Sequence, residues 1–269
     1  MMTATHTWMR RKAVWCAVAG LVLSTGLARA ERPYVILLDG TRIEGTDIRA
    51  RSGGEIVLTE PRGTRTFMPG QYERAYAPRP PEFGRAQDMV QNDRYEEAIP
   101  ILEEIIRELR HLEWDNRAMD LMARARMGMG EYDTAVRTYE RLFQQTPRMK
   151  ENPDVLWTYY RAMLGAGQLD RLETEMEEKI KEGSRADAGR AQIMRGDIKR
   201  ERGLYEEAVL DYMRTVVFFK AQRDIQPEAL FKTAEALERL RDDRARAMFE
   251  RVVREYPDSR YAEQARRKL

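Results

Sequence analysis

The pattern of hydrophobic and polar positions divides the chain into stretches of different character. Residues 13–27 form one uncharged, mostly apolar run. Residues 31–77 contain short apolar runs separated by Gly, Pro and Asp, which is typical of short β-strands joined by tight turns. From residue 84 onward, apolar residues recur with the period of an amphipathic helix. The pattern therefore predicts a mainly α protein, with a leader, a β module at 31–77 and a helical region at 84–269.

The β module is predicted to contain five strands. Asp39-Gly40 is a two-residue hairpin signal, Gly45 marks a bend within a long second strand, and Gly53-Gly54 forms a further turn. The predicted strands lie at residues 34–38, 41–50, 55–59, 64–68 and 71–76. Strands this short have to curl to cover their edges, so we expect a small antiparallel, barrel-like module.

The segment 37–45 resembles the first hairpin of SH3-like and Sm-like barrels. It combines a strand, an Asp-Gly turn and a bent second strand that contains a glycine. Sm-like proteins bind RNA through an Asp and an Asn in their second and third strands and through an Arg-Gly near the end. Arg62-Gly63 matches the last feature, but residues 31–77 contain no Asn. The resemblance therefore implies packing or protein docking for this module, not oligonucleotide binding.

The first thirty residues have the features of a secretory signal peptide. Basic residues at 10–12 precede the apolar run. Ala28 and Ala30 occupy the −3 and −1 positions of a signal-peptidase cleavage site. We expect cleavage after Ala30, a periplasmic or secreted mature protein and no integral membrane span. A retained anchor is the alternative, but the run is shorter than the roughly 20 residues that span a bilayer. Cys16 lies inside the run, which argues against lipid anchoring.

A proline-rich stretch separates the β module from the helical region. It begins Pro78-Arg79-Pro80-Pro81. Proline has no backbone N–H to donate to a sheet, and consecutive prolines favour a stiff, extended chain. We therefore predict a hinge at residues 78–83 that joins the two regions.

One phrase recurs four times in the helical region at a nearly constant spacing. Its copies are residues 93–98 (DRYEEA), 130–135 (GEYDTA), 167–172 (GQLDRL) and 203–208 (GLYEEA). The third position of the phrase recurs after 37, 37 and 36 residues. A glycine permits the chain to turn after a first helix, and an alanine permits a second helix to approach it closely. The phrase therefore predicts a stack of helix pairs.

These phrases resemble the tetratricopeptide repeat, whose turn carries Gly-x-Tyr-x-x-Ala, with a large apolar residue four positions later and Pro near the end. Tyr139 and Pro147 follow Ala135 at these spacings, and residues 245–257 repeat the pattern. The third unit has leucines at the Tyr and Ala positions, and the first and fifth units lack the Gly. The period exceeds the usual length of about 34 residues. The resemblance implies an α-solenoid of about five repeats over 84–269, and a protein of bacterial cell-envelope assembly or maintenance.

Stacked helix pairs of this family form a solenoid whose concave face is lined by the first helix of each pair. Aligning the units on their turn alanine predicts which residues on this face contact a partner. They are Arg117, Asp120, Arg124, Trp157, Arg161, Arg190, Asp197 and Arg200. Arginines with an aromatic anchor are typical of protein interaction hot spots. The alternative is that Trp157 belongs to the interhelical core and that the arginines are solvated and paired with nearby carboxylates.

The charge balance gives no reason to expect nucleic-acid binding. The chain has 47 Lys and Arg against 45 Asp and Glu, a formal net charge of +2. Residues 1–30 contain four of the basic residues and no acidic one, so cleavage would leave 43 against 45. A nearly neutral chain has no general attraction for a polyanion.

The chemistry of catalysis is almost absent from residues 31–269, which contain no Cys and a single His, His111. A lone His is more often a capping or surface residue than a catalytic base, and one His without Cys cannot form a Cys/His zinc site. We predict no enzyme activity, no metal and no cofactor. The expected function is an exported scaffold or adaptor that binds a protein or peptide partner in the concave groove. The alternatives are a self-associating, homo-oligomeric component of an envelope complex and a protein that binds peptidoglycan or another carbohydrate.

Overall fold

The computed structural model describes residues 31–269. The predicted signal peptide and its cleavage site therefore lie outside the described residues. Residues Arg32–Leu269 form one compact unit. Among the helices of this unit, none combines the length and the apolar character that crossing a bilayer requires.

Six short strands form two antiparallel sheets in the described chain. They are β1 Tyr34–Leu37, β2 Arg42–Glu44, β3 Asp47–Ala50, β4 Ile56–Glu60, β5 Gly63–Phe67 and β6 Tyr72–Tyr76. The strand order is β2-β1-β6 in one sheet and β3-β4-β5 in the other. Val35 of β1 and Ile56 and Leu58 of β4 are buried, whereas Val57 is only partly buried. Alternate residues of β4 thus face the core, as the period of a strand requires.

The predicted second strand is divided at Gly45, which is why six strands are present in place of the predicted five. The N–H of Gly45 donates to the carbonyl of Pro33 beside β1, and the N–H of Thr46 donates to the carbonyl of Thr59 in β4. A Cβ atom on residue 45 would lie 2.5 Å from the Thr59 carbonyl oxygen. Glycine therefore lets the chain cross from one sheet to the other at this corner. The resemblance to SH3-like barrels stays a prediction.

Eleven α-helices follow the strands within the described residues. They are α1 Pro81–Gln91, α2 Tyr95–Glu108, α3 Trp114–Gly128, α4 Tyr132–Gln145, α5 Pro153–Gly165, α6 Leu169–Glu182, α7 Arg185–Glu201, α8 Tyr205–Phe218, α9 Gln226–Arg239, α10 Arg244–Glu255 and α11 Arg260–Arg266. Each helix packs chiefly against its neighbours along the chain. The predicted mainly α architecture, an α-solenoid of helix pairs behind an antiparallel β region, is confirmed.

The helix pairs share one backbone turn, which lies at the predicted glycines. Gly130, Gly167 and Gly203 have φ angles of 78°, 70° and 75°. A Cβ atom opposes this left-handed conformation, so glycine adopts it most easily. In each turn the glycine and the next residue donate their N–H groups to carbonyls three and five residues earlier. These bonds satisfy carbonyl groups that the end of a helix would otherwise leave without partners.

The first and fifth pairs form the same turn without glycine. Asp93 and Arg241 have φ angles of 58° and 56°, with the same two backbone hydrogen bonds. The carboxylate of Asp93 accepts a hydrogen bond from the hydroxyl of Tyr95, which offsets part of the backbone strain. Arg241 has no carboxylate partner among residues 31–269. No ion pair of Arg241 therefore offsets the strain of its left-handed backbone conformation.

A second glycine, two residues before the turn, lets consecutive pairs stack closely. A Cβ atom on Gly128 would collide with the ring of Tyr95, and one on Gly165 would collide with the ring of Tyr132. At the next junction Leu169 takes the place of the tyrosine, and Glu201 takes the place of the glycine. The close approach thus pairs a glycine of one unit with a tyrosine of the unit before it.

The β module and the first helices share one hydrophobic core. The rings of Trp114 and Tyr76 are 5.9 Å apart, and the indole N–H of Trp114 donates to the carbonyl of Ala77 at 2.7 Å. Helix α1 begins at Pro81, inside the hinge that the sequence predicts at residues 78–83. The prolines therefore start a helix as well as end a sheet. The contacts of Trp114 hold the β module against α3, so the segment is not a free linker.

Arg241→Gly is expected to raise the free energy of unfolding by about 1 kcal/mol, because glycine removes the cost of a left-handed non-glycine residue. Urea denaturation followed by circular dichroism measures the change. The matched control is Gly130→Ala, whose added Cβ meets no neighbouring atom within 4 Å. It should lower the same free energy by about 1 kcal/mol. A neutral or destabilising Arg241→Gly would contradict this explanation of the turn.

Candidate partner-binding groove

Helices α3, α5, α7 and α9 line a groove of about 580 Å³. Each is the first helix of its pair, as predicted for the concave face. Six of the eight predicted residues line this groove, namely Arg124, Trp157, Arg161, Arg190, Asp197 and Arg200. The structure therefore brings together residues that are up to 76 positions apart in the chain.

The other two predicted residues do not line the groove. Arg117 is exposed, and its guanidinium lies 4.8 Å from the ring centroid of Trp114, a cation–π contact. Asp120 accepts hydrogen bonds from Nε of Arg124 at 3.0 Å and from the hydroxyl of Tyr139 at 2.8 Å. Asp120 thus orients Arg124, which does line the groove, and is itself held by two partners.

Five groove residues with polar side chains were not predicted from the sequence. They are Asp154, Thr158, Asp224, Glu228 and Lys232. For Asp154 and Glu228, the distance along the chain to the turn residue is the feature of the sequence that indicates a groove position. Asp154 lies 13 residues before Gly167, and Glu228 lies 13 residues before Arg241. Arg117 and Arg190 lie at the same offset from Gly130 and Gly203 and were predicted, whereas Asp154 and the first helix of the fifth unit were not included.

One end of the groove is closed by a buried ion network between α7 and α9. Asp197 is 3% exposed, and it accepts hydrogen bonds from Nζ of Lys232 at 2.6 Å and from the hydroxyl of Tyr212 at 2.8 Å. Glu228 lies 2.6 Å from the same ammonium group. Burial alone would lower the pKa of Lys232, but the two carboxylates raise it above its ordinary value. Asp197 and Lys232 therefore join two repeats and are not free to contact a partner.

Arg161, near the centre of the groove, differs from this network because its charge is not matched. Its guanidinium donates to the hydroxyl of Thr158 at 2.8 Å, and no carboxylate among residues 31–269 lies within salt-bridge distance. Burial lowers the pKa of Arg161, and the positive charges of Arg124 and Arg260 lower it further, although Tyr139 and Glu228 act in the opposite direction. A bound anionic group would relieve this repulsion. The groove therefore favours a negatively charged group at Arg161.

Trp157 forms part of the apolar floor of the groove. Its side chain is 7% exposed, and its ring packs edge to face against Tyr160 with 5.5 Å between centroids. Ile193 and Met194 of α7 line the groove beside it and are also buried. Trp157 is thus mainly interhelical core, as the alternative interpretation has it, although its remaining surface faces the groove.

His111 lies in a second cleft, of about 360 Å³, between β6, the α2–α3 loop and the end of α4. Its backbone N–H donates to the carboxylate of Asp115 at 2.8 Å, and its φ angle is 65°. Burial lowers the pKa of His111, and the charge of Arg110 lowers it further, although Asp115 acts in the opposite direction. Among the described residues, no group of three or more His, Cys, Asp or Glu is placed to hold a metal. The arrangement suits packing between the β module and α3.

Comparison with known proteins identifies the helix pairs. The family model of the tetratricopeptide repeat matches residues 117–147 and 228–259, which cover most of α3–α4 and α9–α10. Two crystal structures of nearly identical TPR-like repeats, from a protein named as a kinesin light chain of Podosopora anserina, align with a TM-score of 0.50. One of them is 19% identical and the other 18%, and each alignment covers 64% of this chain and 91% of theirs.

A third structure, MamA 41-end from Desulfovibrio magneticus RS-1, has a TM-score of 0.47 at 17% identity, over 66% of this chain and 96% of its own. No curated protein matches the sequence. At these identities the likeness to solved structures shows the fold alone. Two segments of the helical part match the tetratricopeptide repeat, and the helix pairs form a tetratricopeptide-like solenoid.

Lys232→Met is expected to lower the free energy of unfolding by about 3 kcal/mol, because it leaves Asp197 and Glu228 without their shared cation. Thermal and urea denaturation of the purified variant would show the loss. Adding Asp197→Asn should restore part of the stability, because it removes one of the two buried carboxylates that lose Lys232. A loss below about 1 kcal/mol would mean that the network contributes little.

Stability should also fall below neutral pH through His111. Its folded-state pKa lies below the ordinary value of 6.5, so protonation favours the unfolded chain. The contribution is complete above pH 6.5 and is lost as the pH falls through that value toward the folded-state pKa. The test compares urea denaturation at about pH 7.5 and about pH 5.5 for the wild-type protein and His111→Asn, whose asparagine tolerates the positive φ. An identical pH response in both proteins would contradict the assignment.

Proposed function

We propose that this protein is a non-enzymatic scaffold that holds a protein or peptide partner in the groove lined by α3, α5, α7 and α9. The observation that carries the proposal is the unmatched charge of Arg161 in a groove with an apolar floor. Elsewhere in the groove, Asp197 and Lys232 neutralise each other at 2.6 Å. Tetratricopeptide repeats generally act as interaction scaffolds, which supports the same conclusion.

The groove favours a partner segment with an acidic group next to an apolar side chain. Arg161 and Arg124 present planar guanidinium groups, which bind carboxylates through paired N–H donors. Trp157 and Ile193 offer apolar surface beside them. An acidic side chain or a C-terminal carboxylate would pair with Arg161, while a neighbouring apolar side chain would cover the floor. Such a ligand satisfies both features of the groove at once.

The proposal includes export to the periplasm or the cell exterior, and a role in assembly or maintenance of the cell envelope. The composition of residues 1–30 supports this compartment. Carbohydrate binding is not favoured, because a sugar ring stacks on an exposed aromatic face. Trp157 and Tyr159 are 7% and 5% exposed, so neither offers such a face.

A photoreactive residue at position 154, an exposed position that lines the groove, tests the proposal in cells and leaves Arg161 in place. We expect crosslinking, purification and mass spectrometry to recover one recurrent envelope protein. The crosslinked peptide of that partner should contain Asp, Glu or a chain end. Crosslinks only between copies of this chain would contradict the adaptor function and favour a self-associating structural role.

Reversing the charge of Arg161 tests the chemistry of the contact. Arg161→Glu should weaken partner binding more than about tenfold, because an unfavourable pair replaces a charge-assisted hydrogen bond. Arg124→Glu in addition should weaken it further. The matched control is Arg141→Glu on α4, which makes the same charge change at an exposed residue outside the groove. Equal partner affinity in Arg161→Glu and Arg141→Glu would place the interface elsewhere.

A further inference from the structure

The end of α8 carries exposed apolar side chains beside basic ones. We call this set the α8 patch, and it consists of Val217, Phe218, Lys220, Arg223 and Arg185. Val217 and Phe218 are 59% and 63% exposed, although both are large and apolar. Exposed apolar side chains that adjoin each other mark a surface for an interaction partner more often than scattered ones do.

Packing of α8 does not account for the exposure of these residues. The buried side of α8 includes Tyr212, Thr215 and Val216. Successive residues of a helix diverge by about 100°, so Val217 and Phe218 point away from the face that carries Val216. The α8 patch therefore belongs to the outward side of the solenoid and not to its core.

One cation of the α8 patch contacts the end of α8, and the other two follow this helix closely in the chain. The guanidinium of Arg185 donates to the carbonyl of Phe218 and lies 5.2 Å from the ring centroid of Phe219. Lys220 and Arg223 are exposed residues of the α8–α9 loop. Among residues 31–269, none of these three cations has a carboxylate within salt-bridge distance. Their charges are therefore available to an anionic partner.

The acidic residues near the α8 patch are already engaged. Asp224 lies 3.4 Å from Arg190, and Asp187 accepts a hydrogen bond from the hydroxyl of Ser184 at the start of α7. Only Asp224 of these two has a cationic partner, so Asp187 keeps its negative charge, and the three cations of the α8 patch outnumber it. A partner that covers the patch has to supply an apolar interior and a negatively charged surface together.

We propose that the α8 patch docks the protein on the surface of an anionic lipid bilayer. Val217 and Phe218 enter the boundary between headgroups and acyl chains, and the three cations meet the lipid phosphates. A bilayer fits because it offers apolar and anionic layers side by side to a projecting helix end, whereas the concave groove suits a peptide. This proposal does not depend on the occupant of the groove.

The docking is peripheral and reversible. Each cation close to an anionic membrane strengthens binding about fivefold, and salt screens this attraction within a distance of about 10 Å. Two apolar side chains add a contribution that salt does not remove. Binding should therefore require anionic lipid, weaken as ionic strength rises and reverse on dilution.

Vesicle flotation tests the proposal. The sample is the protein purified from cells that express the full sequence. We expect the protein to float with vesicles that contain phosphatidylglycerol and to stay at the bottom of the gradient with vesicles of phosphatidylcholine alone. Lys220→Glu with Arg223→Glu should reduce binding about 30-fold or more. Val217→Ser with Phe218→Ser should reduce it about tenfold.

Matched controls separate the α8 patch from general effects. Arg137→Glu with Arg141→Glu changes the charge equally on α4, at exposed positions. Leu38→Ser with Met68→Ser removes apolar residues of the β module that are 68% and 51% exposed. Both controls should bind vesicles as the wild type does, and all variants should keep the wild-type circular dichroism. Residues 1–30 are the same in every protein, so they do not contribute to the differences.

Two results would overturn the proposal. Equal binding to neutral and anionic vesicles, or equal binding by the α8 patch variants and their controls, would show that the patch does not dock on anionic lipid. Loss of a captured protein partner in the patch variants, without vesicle binding by the wild type, would identify the patch as a protein contact instead. Loss of partner capture in Arg161→Glu with vesicle binding intact would separate the two surfaces.

Discussion

The left-handed turn after each first helix is the constraint on which the rest of the helical array depends. The residue at this turn has a φ angle between 56° and 78° in all five described pairs, and the same two backbone bonds close the helix before it. The chain therefore reverses at an equivalent point in each unit. A second glycine, at Gly128 and Gly165, leaves room for a tyrosine of the preceding unit. Together these features fix which residues of each first helix face the groove.

The helix pairs repeat regularly, but the charged residues of the groove that they form are not distributed evenly. Between α7 and α9, Asp197, Lys232 and Glu228 satisfy one another and hold adjacent repeats together. At the centre, Arg161 sits close enough to Arg124 for their charges to repel, and it has only a hydroxyl as hydrogen-bond partner among the described residues. One region of the groove thus contributes to folding, and another is better satisfied when a ligand is bound.

Much of the helical fold could be predicted from the sequence, because a phrase that repeats every 36 or 37 residues gives the length of each helix pair. Six groove residues followed from the same register. Lys232 and Glu228 of the fifth unit were not predicted, because their role depends on the packing of α9 against Asp197 of α7. Burial decides the roles of Asp197 and Trp157, and it depends on neighbours that are distant in the chain. The core that the β module shares with α3 depends on such neighbours as well.

Hydrogen exchange followed by mass spectrometry, with and without the crosslinked partner's peptide, tests the central claim most directly. If the peptide occupies the groove, amide exchange should slow in α5 and α7, and to a lesser degree in α3 and α9. The outward helices α4, α6 and α8 should exchange at unchanged rates, because the peptide does not contact them. Protection confined to the outward helices or to the β module would contradict a concave binding site.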